Sequence, residues 1–585
     1  MRTLFLFCAC LFSIPAIAQF YDNTWLIGYQ GGGAEFGIAQ LTFTNGSLIV
    51  KKSDLPIAGF QDNNASFSDS FGNLLATFNG FRVYNKKGNV MKGGDSIWYE
   101  QLPNLFGYSD EDLPQGGLFL SWPNHPDSLL LFYASQGNAG TDSFVVFASL
   151  HLQYALIRPS LNGGMGEVTQ RRHIVIEDTI QYGRLQAVKH ANGRDWWILI
   201  NEKNSNRWYR VLFDLDGVHV LGEQTIGTPL IDGLGAAAFS PDGRYYAVFN
   251  SVGDSQHGAY LDVFDFDRCM GSLSNQRHLS FPLGYIGGIA ISSNSRYLYQ
   301  AFERWVYQYD LWASDLAGSK ITVATYDGYV NPFATTFYQA QLGPDNKIYI
   351  SAPNSVKNLH VIHHPDEQGL NCQVEQHGII LPVYNAFSVV NNPNYRLGPL
   401  DGSLCDTLGL DNLPISWWRS EQDTLNTLSV AFHDLSYYEP TTWAWDFGDP
   451  ASGLNNISLE RHPNHFFSTL GEHEVCLTVS NLNVSNTLCR MLKIGNTLTE
   501  TPEAHEEIQV NPNPFISNLS VALSTDLQSR IFHLYDQMGR IIRTEHLALG
   551  ITKVDTDGIP SGLYFWKVSG KEKAYKSGKL VKVKD

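Results

Sequence analysis

A strand–turn–strand unit recurs along the first two thirds of the chain. It is clearest at Phe239–Tyr246, where two short apolar runs flank the corner Ser240-Pro241-Asp242-Gly243. Looser copies start at Phe67, Ile291 and Leu342, and the last three copies are about 50 residues apart. Proline presets the first dihedral angle of such a corner, and Asp and Gly tolerate the angles that follow. The repeat therefore restricts this part of the chain to a series of antiparallel hairpins.

A period of this length with four strands per unit is typical of a β-propeller. Six units are recognisable between residues 64 and 382, and long amphipathic helical patterns are almost absent. Further apolar runs near Trp25–Val50 and Phe387–Tyr395 are expected to close a seventh blade from both ends of the domain. We predict an all-β chain that begins with a propeller of seven blades, with six or eight as the alternatives.

The N-terminus has the three parts of a secretory signal peptide. A charged start at Met1–Thr3 is followed by an apolar run over Leu4–Ile14 and by the small-residue exit Ala16-Ile17-Ala18. The apolar run is shorter than the roughly 20 residues that span a bilayer, and the alternative interpretation is a buried N-terminal strand. No other stretch is apolar enough to cross a membrane. We therefore expect a protein without a transmembrane segment that functions outside the cell.

The charge pattern argues against nucleic acid as a partner. The formal net charge is −17, and no stripe of Lys and Arg is present apart from the six lysines after residue 570. Binding to a phosphate backbone requires clustered cations. Only 17% of residues are charged whereas 13% are aromatic, a balance that suits an exported, β-rich protein.

Five cysteines follow the signal peptide, so at least one lacks an intramolecular partner. Cys476 and Cys489 lie on successive apolar strands, symmetric about a polar turn, and cross-strand neighbours are close enough to form a disulfide. We predict this bond. Cys372 and Cys405 are a weaker second pair, which would leave Cys269 free.

The motifs of nucleophilic, phosphate-binding and zinc-dependent enzymes are missing, so no catalytic, cofactor-binding or metal-binding residue is predicted. His363-His364-Pro365-Asp366 has the donor types of a metal site, but adjacent strand residues point to opposite faces, which favours a structural role. Asp434, Asp446 and Asp449 have the chemistry for calcium, although accepting backbone N–H bonds in turns is the favoured interpretation.

Three aromatic pairs are the best ligand signal. Trp196-Trp197, Trp417-Trp418 and Tyr437-Tyr438 each place one ring on either face of a strand. An outer ring of this kind can stack on a sugar. The alternative, which we favour, is that both rings of each pair pack inside the fold.

Two segments of the propeller region resemble exported propeller proteins of the Bacteroidota. Residues 65–94 are similar to the first blade of those proteins, and residues 392–402 are similar to the exit from their propeller. This resemblance implies an architecture and a location outside the cell but no reaction.

A second domain follows a linker. Residues 432–436 and 440–449, with the core Trp445-Asp446-Phe447-Gly448-Asp449, resemble the PKD fold, and residues 465–467 and 471–479 match its later strands. The resemblance implies an immunoglobulin-like sandwich. Pro450 stands where that family prefers Gly, which is expected to reshape the turn without changing the fold.

Four C-terminal motifs, in order, resemble the type A sorting domain of the type IX secretion pathway. They contain Asn511, Pro512, Asn513, Pro514, Gly539, Arg540, Gly562, Tyr564 and Lys579. The resemblance implies a small β-sandwich and, as partners, the secretion machinery and a sortase-like protease that removes the domain. It also implies attachment of the new end to an anionic surface polysaccharide, and it accounts for the terminal lysines.

These features divide the chain into a signal peptide (1–18), a propeller (19–400), a linker (401–414), a PKD domain (415–495), a second linker (496–507) and a sorting domain (508–585). We expect a secreted or surface-attached binding or adhesion protein whose ligand is a glycan or another surface protein, with no cofactor. One alternative is a propeller enzyme, similar to a lactonase or polysaccharide lyase, with its site at the channel mouth. The other is a structural spacer. Converging His and carboxylate side chains in the channel favour the enzyme, whereas an exposed aromatic row favours glycan binding.

Overall fold

The computed structural model describes residues 20–97, 113–138, 147–230, 233–251, 258–281, 286–423, 425–495, 509–511, 515, 518–523, 530–536, 540–547, 550–569 and 574–582. The chain divides into two compact units. The first contains residues 1–423 and 428–493, and the second contains residues 424–427 and 494–585. The predicted signal peptide and the predicted linker 496–507 lie outside the described residues.

The first unit begins with seven separate antiparallel sheets, each built from strands that follow one another in the chain. Blade one is β1 (Thr24–Ile27), β2 (Ile38–Thr44) and β3 (Ser47–Ser53); blade two is β4 (Ala65–Ser68), β5 (Leu74–Phe78) and β6 (Val83–Asn85). Blade three is β7 (Gly117–Ser121), β8 (Leu129–Asn138), β9 (Phe147–Arg158) and, after a helical turn α1 (Leu161–Gly164), β10 (Glu167–Ile176).

The remaining four blades have four strands each. Blade four is β11 (Gln186–Lys189), β12 (Trp196–Asn201), β13 (Arg207–Phe213) and β14 (Val218–Thr225); blade five is β15 (Gly235–Phe239), β16 (Tyr245–Asn250), β17 (Ala259–Asp267) and β18 (Ser272–Phe281). Blade six is β19 (Gly288–Ile291), β20 (Tyr297–Phe302), β21 (Trp305–Asp310) and β22 (Ile321–Thr325); blade seven is β23 (Ala340–Leu342), β24 (Ile348–Ile350), β25 (Val356–Ile362) and β26 (Val374–Asn385), with a 3₁₀ turn at Gly369–Cys372. The protein is thus a seven-bladed propeller over this region.

The repeated corner joins the first and second strands of its blade. The Ser240 hydroxyl donates to Asp242 at 2.6 Å and accepts from the Tyr245 N–H at 2.9 Å, and Ser292 makes the same two contacts in blade six. Gly243 has a φ of +73°, and a Cβ there would lie 2.7 Å from Arg268 Cδ. The corner residues therefore fix both the turn and its close contact with the Arg268 side chain.

The expectation that Phe387–Tyr395 contributes a strand to the closing blade is wrong. Blade one is formed by residues 24–53 alone, and residues 386–400 contain no strand. Aromatic and aliphatic packing closes the ring instead, with Trp25 and Phe43 of blade one against Tyr349 of blade seven. The freed segment enters the central channel.

A two-sheet sandwich completes the first unit. One sheet has the order β27 (Trp418–Gln422), β28 (Ser429–Asp434) and β31 (Asn464–Phe466); the other has the order β30 (Ile457–Ser458), β29 (Thr442–Asp446), β32 (Gly471–Ser480) and β33 (Ser485–Ile494), with a 3₁₀ turn at Pro450–Asn456. Alternate residues of β32 are buried, as expected for a strand with one face on a core. Trp418, Phe432 and Trp445 form the centre of that core.

The sandwich is docked against the propeller at what we call the seam. Cys269 of blade five is joined to Cys405 of the linker, with the Cα atoms 5.6 Å apart. The buried Arg419 donates to the Asp345 carbonyl at 3.1 Å. The Lys347 ammonium pairs with Glu421 at 2.7 Å. A disulfide and polar contacts therefore hold the propeller and the sandwich together.

Residues next to the predicted cleavage site also lie in the seam. The Phe20 ring is 5.0 Å from the Trp417 ring, and Tyr21 stacks on Phe67 at 5.0 Å. Asp22 accepts from Arg396 at 2.6 Å. The start of the mature chain thus contacts the propeller, its exit segment and the sandwich.

The second unit is a separate β-sandwich. One sheet has the order β34 (Gln509–Asn511), β35 (Asn518–Leu523) and β38 (Gly550–Asp555). The other has the order β37 (Ile541–Leu547), β36 (Arg530–Tyr535), β39 (Gly562–Ser569) and β40 (Ala574–Lys582). Phe515, Phe532, Tyr564 and Trp566 contribute to its core. Among the described residues of the whole chain, no helix combines the length and apolarity needed to cross a membrane.

The disulfide pattern agrees with one sequence expectation and corrects the other. Cys476 is joined to Cys489 between β32 and β33. Cys405 pairs with Cys269, so the predicted Cys372–Cys405 pair is wrong, and Cys372 is the free thiol. Cys372 is fully buried in the core between blades six and seven, which keeps it from the linker.

We expect Cys476→Ser to lower the free energy of unfolding of the sandwich by roughly 3 kcal/mol, because the bond closes a short loop in the unfolded chain. Urea unfolding of the wild type and the variant without reductant measures this. With reductant, which also breaks the Cys269–Cys405 bond in both proteins, the two should unfold alike. Unreduced peptide mapping that found Cys476 alkylated would contradict the prediction.

Candidate functional site

The central channel of the propeller is occupied by the chain's own exit segment, residues 385–398, which we call the channel segment. Asn391 accepts from the Gln186 side chain at 2.7 Å and donates to the carbonyls of Gly117 and Leu185, both at 3.1 Å. Its backbone N–H donates to Asn64 at 2.7 Å. One asparagine thereby bonds three blades, which explains why this segment does not pair as a strand.

A cavity of about 360 Å³, which we call the chamber, remains at the end of the channel where the innermost strands finish. Blades four to seven line it with small or short side chains, including Ala187, Ala238 and Ala290. The loop Leu435–Pro440 of the sandwich, which we call the sandwich loop, lines the side of the chamber that faces the sandwich. This loop is conformationally strained, because Tyr438 and Glu439 have φ angles of +60° and +50°.

The charges around the chamber are mostly compensated within the protein. Asp22 pairs with Arg396, Asp242 with Arg244, and Arg461 with Asp434. Glu439 forms no ion pair among the described residues, and burial raises its pKa. The described lining of the chamber thus holds three carboxylates, two of them ion-paired, and no histidine.

A row of two aromatic rings lies on β21, the third strand of blade six. The rings of Trp305 and Tyr307 are nearly parallel, with an interplanar angle of 11° and centroids 6.4 Å apart. Trp305 is 38% exposed. The Lys320 ammonium lies 3.6 Å from the centre of the Tyr307 ring and 5.4 Å from that of Phe281 on blade five. Residues two apart on a strand share a face, so the row follows directly from the local sequence.

An open cleft of about 790 Å³ lies between the same two blades. Trp312, which is 55% exposed, borders it, and the Arg296 guanidinium lies 5.2 Å from the Trp312 ring. Asn275, Gln276 and Arg277 of β18 form the opposite side. Strand β18 borders both features, with Asn275 beside the cleft and Phe281 beside the row. We therefore call the row and the cleft together the rim surface.

Two of the three aromatic pairs singled out from the sequence pack within the fold. Trp196, Trp197 and Trp418 are almost completely buried, and Trp417 is covered by the Arg490 guanidinium at 4.0 Å. For these two pairs the favoured alternative is what the structure has. The third pair, Tyr437-Tyr438, lies in the sandwich loop that lines the chamber. Trp305 and Trp312 were missed, and the signal that identifies the first is the alternation Trp305-Val306-Tyr307 after the charged Arg304.

The histidines of the predicted strand lie at the seam. His363 contacts Glu375 at 2.8 Å and accepts from Lys347 at 3.3 Å. His364 stacks on His433 of the sandwich with centroids 5.5 Å apart, and the His433 and His462 rings are 5.8 Å apart. A cavity of about 450 Å³ separates the two sides. Within the described residues, no group of three His, Cys, Asp or Glu side chains is arranged to hold a metal.

Burial dominates the electrostatics of this histidine cluster. It lowers the pKa of His364 to about 4 and that of His462 to about 3, and it lowers the pKa of His433. The neighbouring Arg419 guanidinium lowers all three pKa values further. The cluster is thus built to be neutral.

The three aspartates considered for calcium cap turns. Asp434 accepts from the Ser436 N–H at 3.0 Å, Asp446 from the Gly448 N–H at 3.0 Å, and Asp449 from the Ser468 N–H at 2.7 Å. These are the contacts of the favoured interpretation. Within the Trp445–Asp449 motif, Trp445 and Phe447 are core residues.

The sorting motifs lie in the second unit. Tyr564 is buried and donates to the Pro560 carbonyl at 2.6 Å. Arg540 pairs with Asp536 at 2.7 Å. Gly562 and Lys579 lie on β39 and β40, and Asn511 ends β34. Pro512, Asn513, Pro514 and Gly539 lie outside the described residues.

Comparison with known proteins identifies two domains. Residues 419–491 match the family model described as the PKD domain, and residues 509–583 match that of the secretion system C-terminal sorting domain. No curated protein matches the chain.

Several solved structures are similar in fold. A candidate 6-phosphogluconolactonase from Bacteroides fragilis has 10% identity and a TM-score of 0.36, with 62% of this chain and 97% of that chain covered. PorZ, a surface component of the type IX secretion system of Porphyromonas gingivalis, has 13% identity and a TM-score of 0.30, with 94% and 63% covered. Likenesses at this level carry no argument about function.

Proposed function

We propose that this chain, an exported protein with a β-propeller, a PKD domain and a type IX C-terminal sorting domain, is a surface-displayed glycan-binding protein. The sorting domain places it at the cell surface or in the medium and implies contact with the secretion machinery. The binding role rests on one observation, the exposed Trp305 and Trp312 rings on the rim surface between blades five and six.

The chemistry of the rim surface suits an extended sugar chain. Sugar rings have apolar C–H faces that pack on flat aromatic rings, while their hydroxyls remain at the wet ring edges. Trp305 on β21 and Trp312 just after it offer two exposed stacking positions, whereas the Tyr307 ring is covered by the Lys320 ammonium. Asn275 and Gln276 provide amide donors and acceptors for hydroxyl groups. The two features lie along one strand, so a polymer can contact both.

The charge of the rim surface favours an acidic glycan. Its three arginines are each ion-paired within the protein: Arg244 with Asp242, Arg277 with Asp265 and Arg296 with Asp310. The cation of this surface that remains for a ligand is Lys320, in a chain whose net charge is −17. Lys320 forms no ion pair among the described residues. An anionic surface polysaccharide is therefore the ligand class we propose. After export, the sortase-like protease is proposed to cut within residues 496–507 and to join the new end to such a polymer.

We expect Trp305→Ala and Trp312→Ala each to lower glycan affinity about tenfold, because each removes one stacking platform worth roughly 1 kcal/mol or more. Titration of residues 19–495 against acidic and neutral polysaccharides measures this. Trp305→Phe should retain most of the affinity. Phe71→Ala is the matched control, since Phe71 is 76% exposed on blade two. Equal affinities for Trp305→Ala, Trp312→Ala and Phe71→Ala would contradict the proposal.

The same protein incubated with polysaccharide, lactone and ester panels separates binding from catalysis. Binding without product release is expected. Reproducible turnover that a single channel substitution abolishes would favour the enzyme alternative. An absence of both binding and turnover would favour the spacer.

A further inference from the structure

The chamber is separate from the rim surface and has features of a second site. Its volume of about 360 Å³ lies within the range of small-molecule pockets. Ala238 is only half-buried although it lies inside the channel, so its methyl group borders open space. A polar cavity of this size is filled by water or by a ligand. We propose that the chamber binds a single neutral sugar residue, enclosed between the propeller and the sandwich loop.

The wall of the chamber is polar but neutral. Strands β19 and β23 each end their sheets, so their free edges present backbone N–H and C=O groups toward the channel. Asn346 adds an amide group, while the side-chain NH2 groups of Gln186 and Gln341 are already bonded to Asn391 and Asn392. Groups of both kinds suit hydroxyls, which donate and accept at once. Ala187 and Ile291 provide apolar surface for the C–H face of a ring.

The charged groups leave no site for an ionic ligand inside. The acids Asp22 and Asp242 and the base Arg461 are each paired within the protein. Glu439 is partly exposed at the opening, and the Arg268 guanidinium that acts on it electrostatically is held by the carbonyls of Lys189, His190 and Gly398. A charged ligand would lose its hydration without gaining a partner.

The sandwich loop supplies a donor and a closing element. Burial raises the pKa of Tyr438 to about 12, so its hydroxyl stays protonated. The strained φ angles of Tyr438 and Glu439 persist because docking holds the loop against the propeller. A ligand that contacts both domains stabilises the docked arrangement in proportion to its occupancy. Sugar binding and docking are therefore linked.

The test uses the chain from Gln19 with D-glucose, D-galactose and N-acetyl-D-glucosamine as neutral probes, and with glucuronate and glucosamine as charged counterparts. Binding is measured by titration calorimetry and by the shift in the unfolding temperature. At least one neutral probe should bind and raise the unfolding temperature, and the charged counterparts should bind more weakly. Failure of every neutral probe at millimolar concentration, or tighter binding of a charged one, would overturn the proposal.

Substitutions locate the site. Ala238→Trp fills the chamber and should weaken binding of the neutral probe at least tenfold, and Tyr438→Phe should weaken it severalfold by removing one donor. Trp305→Ala should leave it unchanged, which distinguishes this site from the rim surface. Should Ala238→Trp not fold, Tyr438→Phe decides. Unchanged affinity in Tyr438→Phe together with loss in Trp305→Ala would assign the probe to the rim and refute the chamber.

Discussion

Removal of residues 508–585 is expected to reduce the protein at the cell surface and in the medium by at least an order of magnitude, with residues 19–507 trapped in the periplasm. A secretory signal peptide delivers a chain only across the inner membrane, so passage through the outer membrane depends on the C-terminal sorting domain. The truncated protein should still fold, because the cores of the propeller contain no residue beyond Leu397 and the core of the second unit contains none before Val510.

Fractionation of cells that express the full and truncated chains measures this effect. Fusing residues 496–585 to an inert periplasmic passenger is the reciprocal experiment, and the passenger should appear outside in a host with the type IX machinery. The same passenger carrying residues 401–495 is the control and should stay inside. A truncated protein that reached the surface at normal levels would show that another part of the chain carries the export signal.

The sequence predicts well those features that depend on local pattern. The corner at Ser240–Gly243 needs only a turn between two apolar runs, so it identifies a blade wherever it occurs. The Trp445–Asp449 motif likewise combines core residues with a local turn cap, Asp446 on the Gly448 N–H, although Asp449 bonds Ser468, 19 residues further on. The Cys476–Cys489 bond follows from two strands joined by a tight turn.

Features that depend on long-range contacts were not predictable. Phe387–Tyr395 has the composition of a strand, yet the hydrogen-bond partners of Asn391 lie at blades two, three and four. The most distant of them, Asn64, is 327 residues earlier in the chain. Cys405 is joined to a cysteine 136 residues earlier, and only the docked sandwich brings the two together. The chamber is lined by four blades, the channel segment, the sandwich loop and the separate residues Asp22, Gln115 and Arg461, so no local motif marks it.

Acidification is expected to weaken docking of the PKD domain on the propeller. The groups that face the seam are His363, His364, Lys347, Asp366 and Glu375 of the propeller and Arg419, Glu421, His433, Asp434, Arg461 and His462 of the sandwich. Burial lowers the histidine pKa values, to about 4 for His364 and about 3 for His462, from an ordinary value of 6.5. Undocking would expose these rings to solvent and restore that ordinary value.

The sign of the effect follows from proton uptake. Between about pH 6.5 and pH 4 the undocked histidines bind protons and the docked ones do not, so the undocked state gains stability as the pH falls. Docking is complete above about pH 6.5 and loses free energy progressively below it. Glu421 adds to the loss at the lowest pH. Burial raises its pKa in the docked state, but contacts with His433, Arg419 and Lys347 outweigh burial and lower it. Protonation of Glu421 therefore also weakens docking. After allowance for solvent screening at the partly exposed His364, the loss is on the order of 2 kcal/mol.

Urea unfolding and small-angle scattering across this range measure the effect, and the Cys269–Cys405 bond keeps the undocked domain tethered. The double variant His364→Gln and His462→Gln should flatten the pH dependence, because glutamine stays neutral in both states. His125→Gln is the matched control, since His125 is exposed on blade three and away from the seam. If the double variant and the control lose stability equally between about pH 6.5 and pH 4, carboxylates rather than this cluster set the acid response, and the histidines do not control docking.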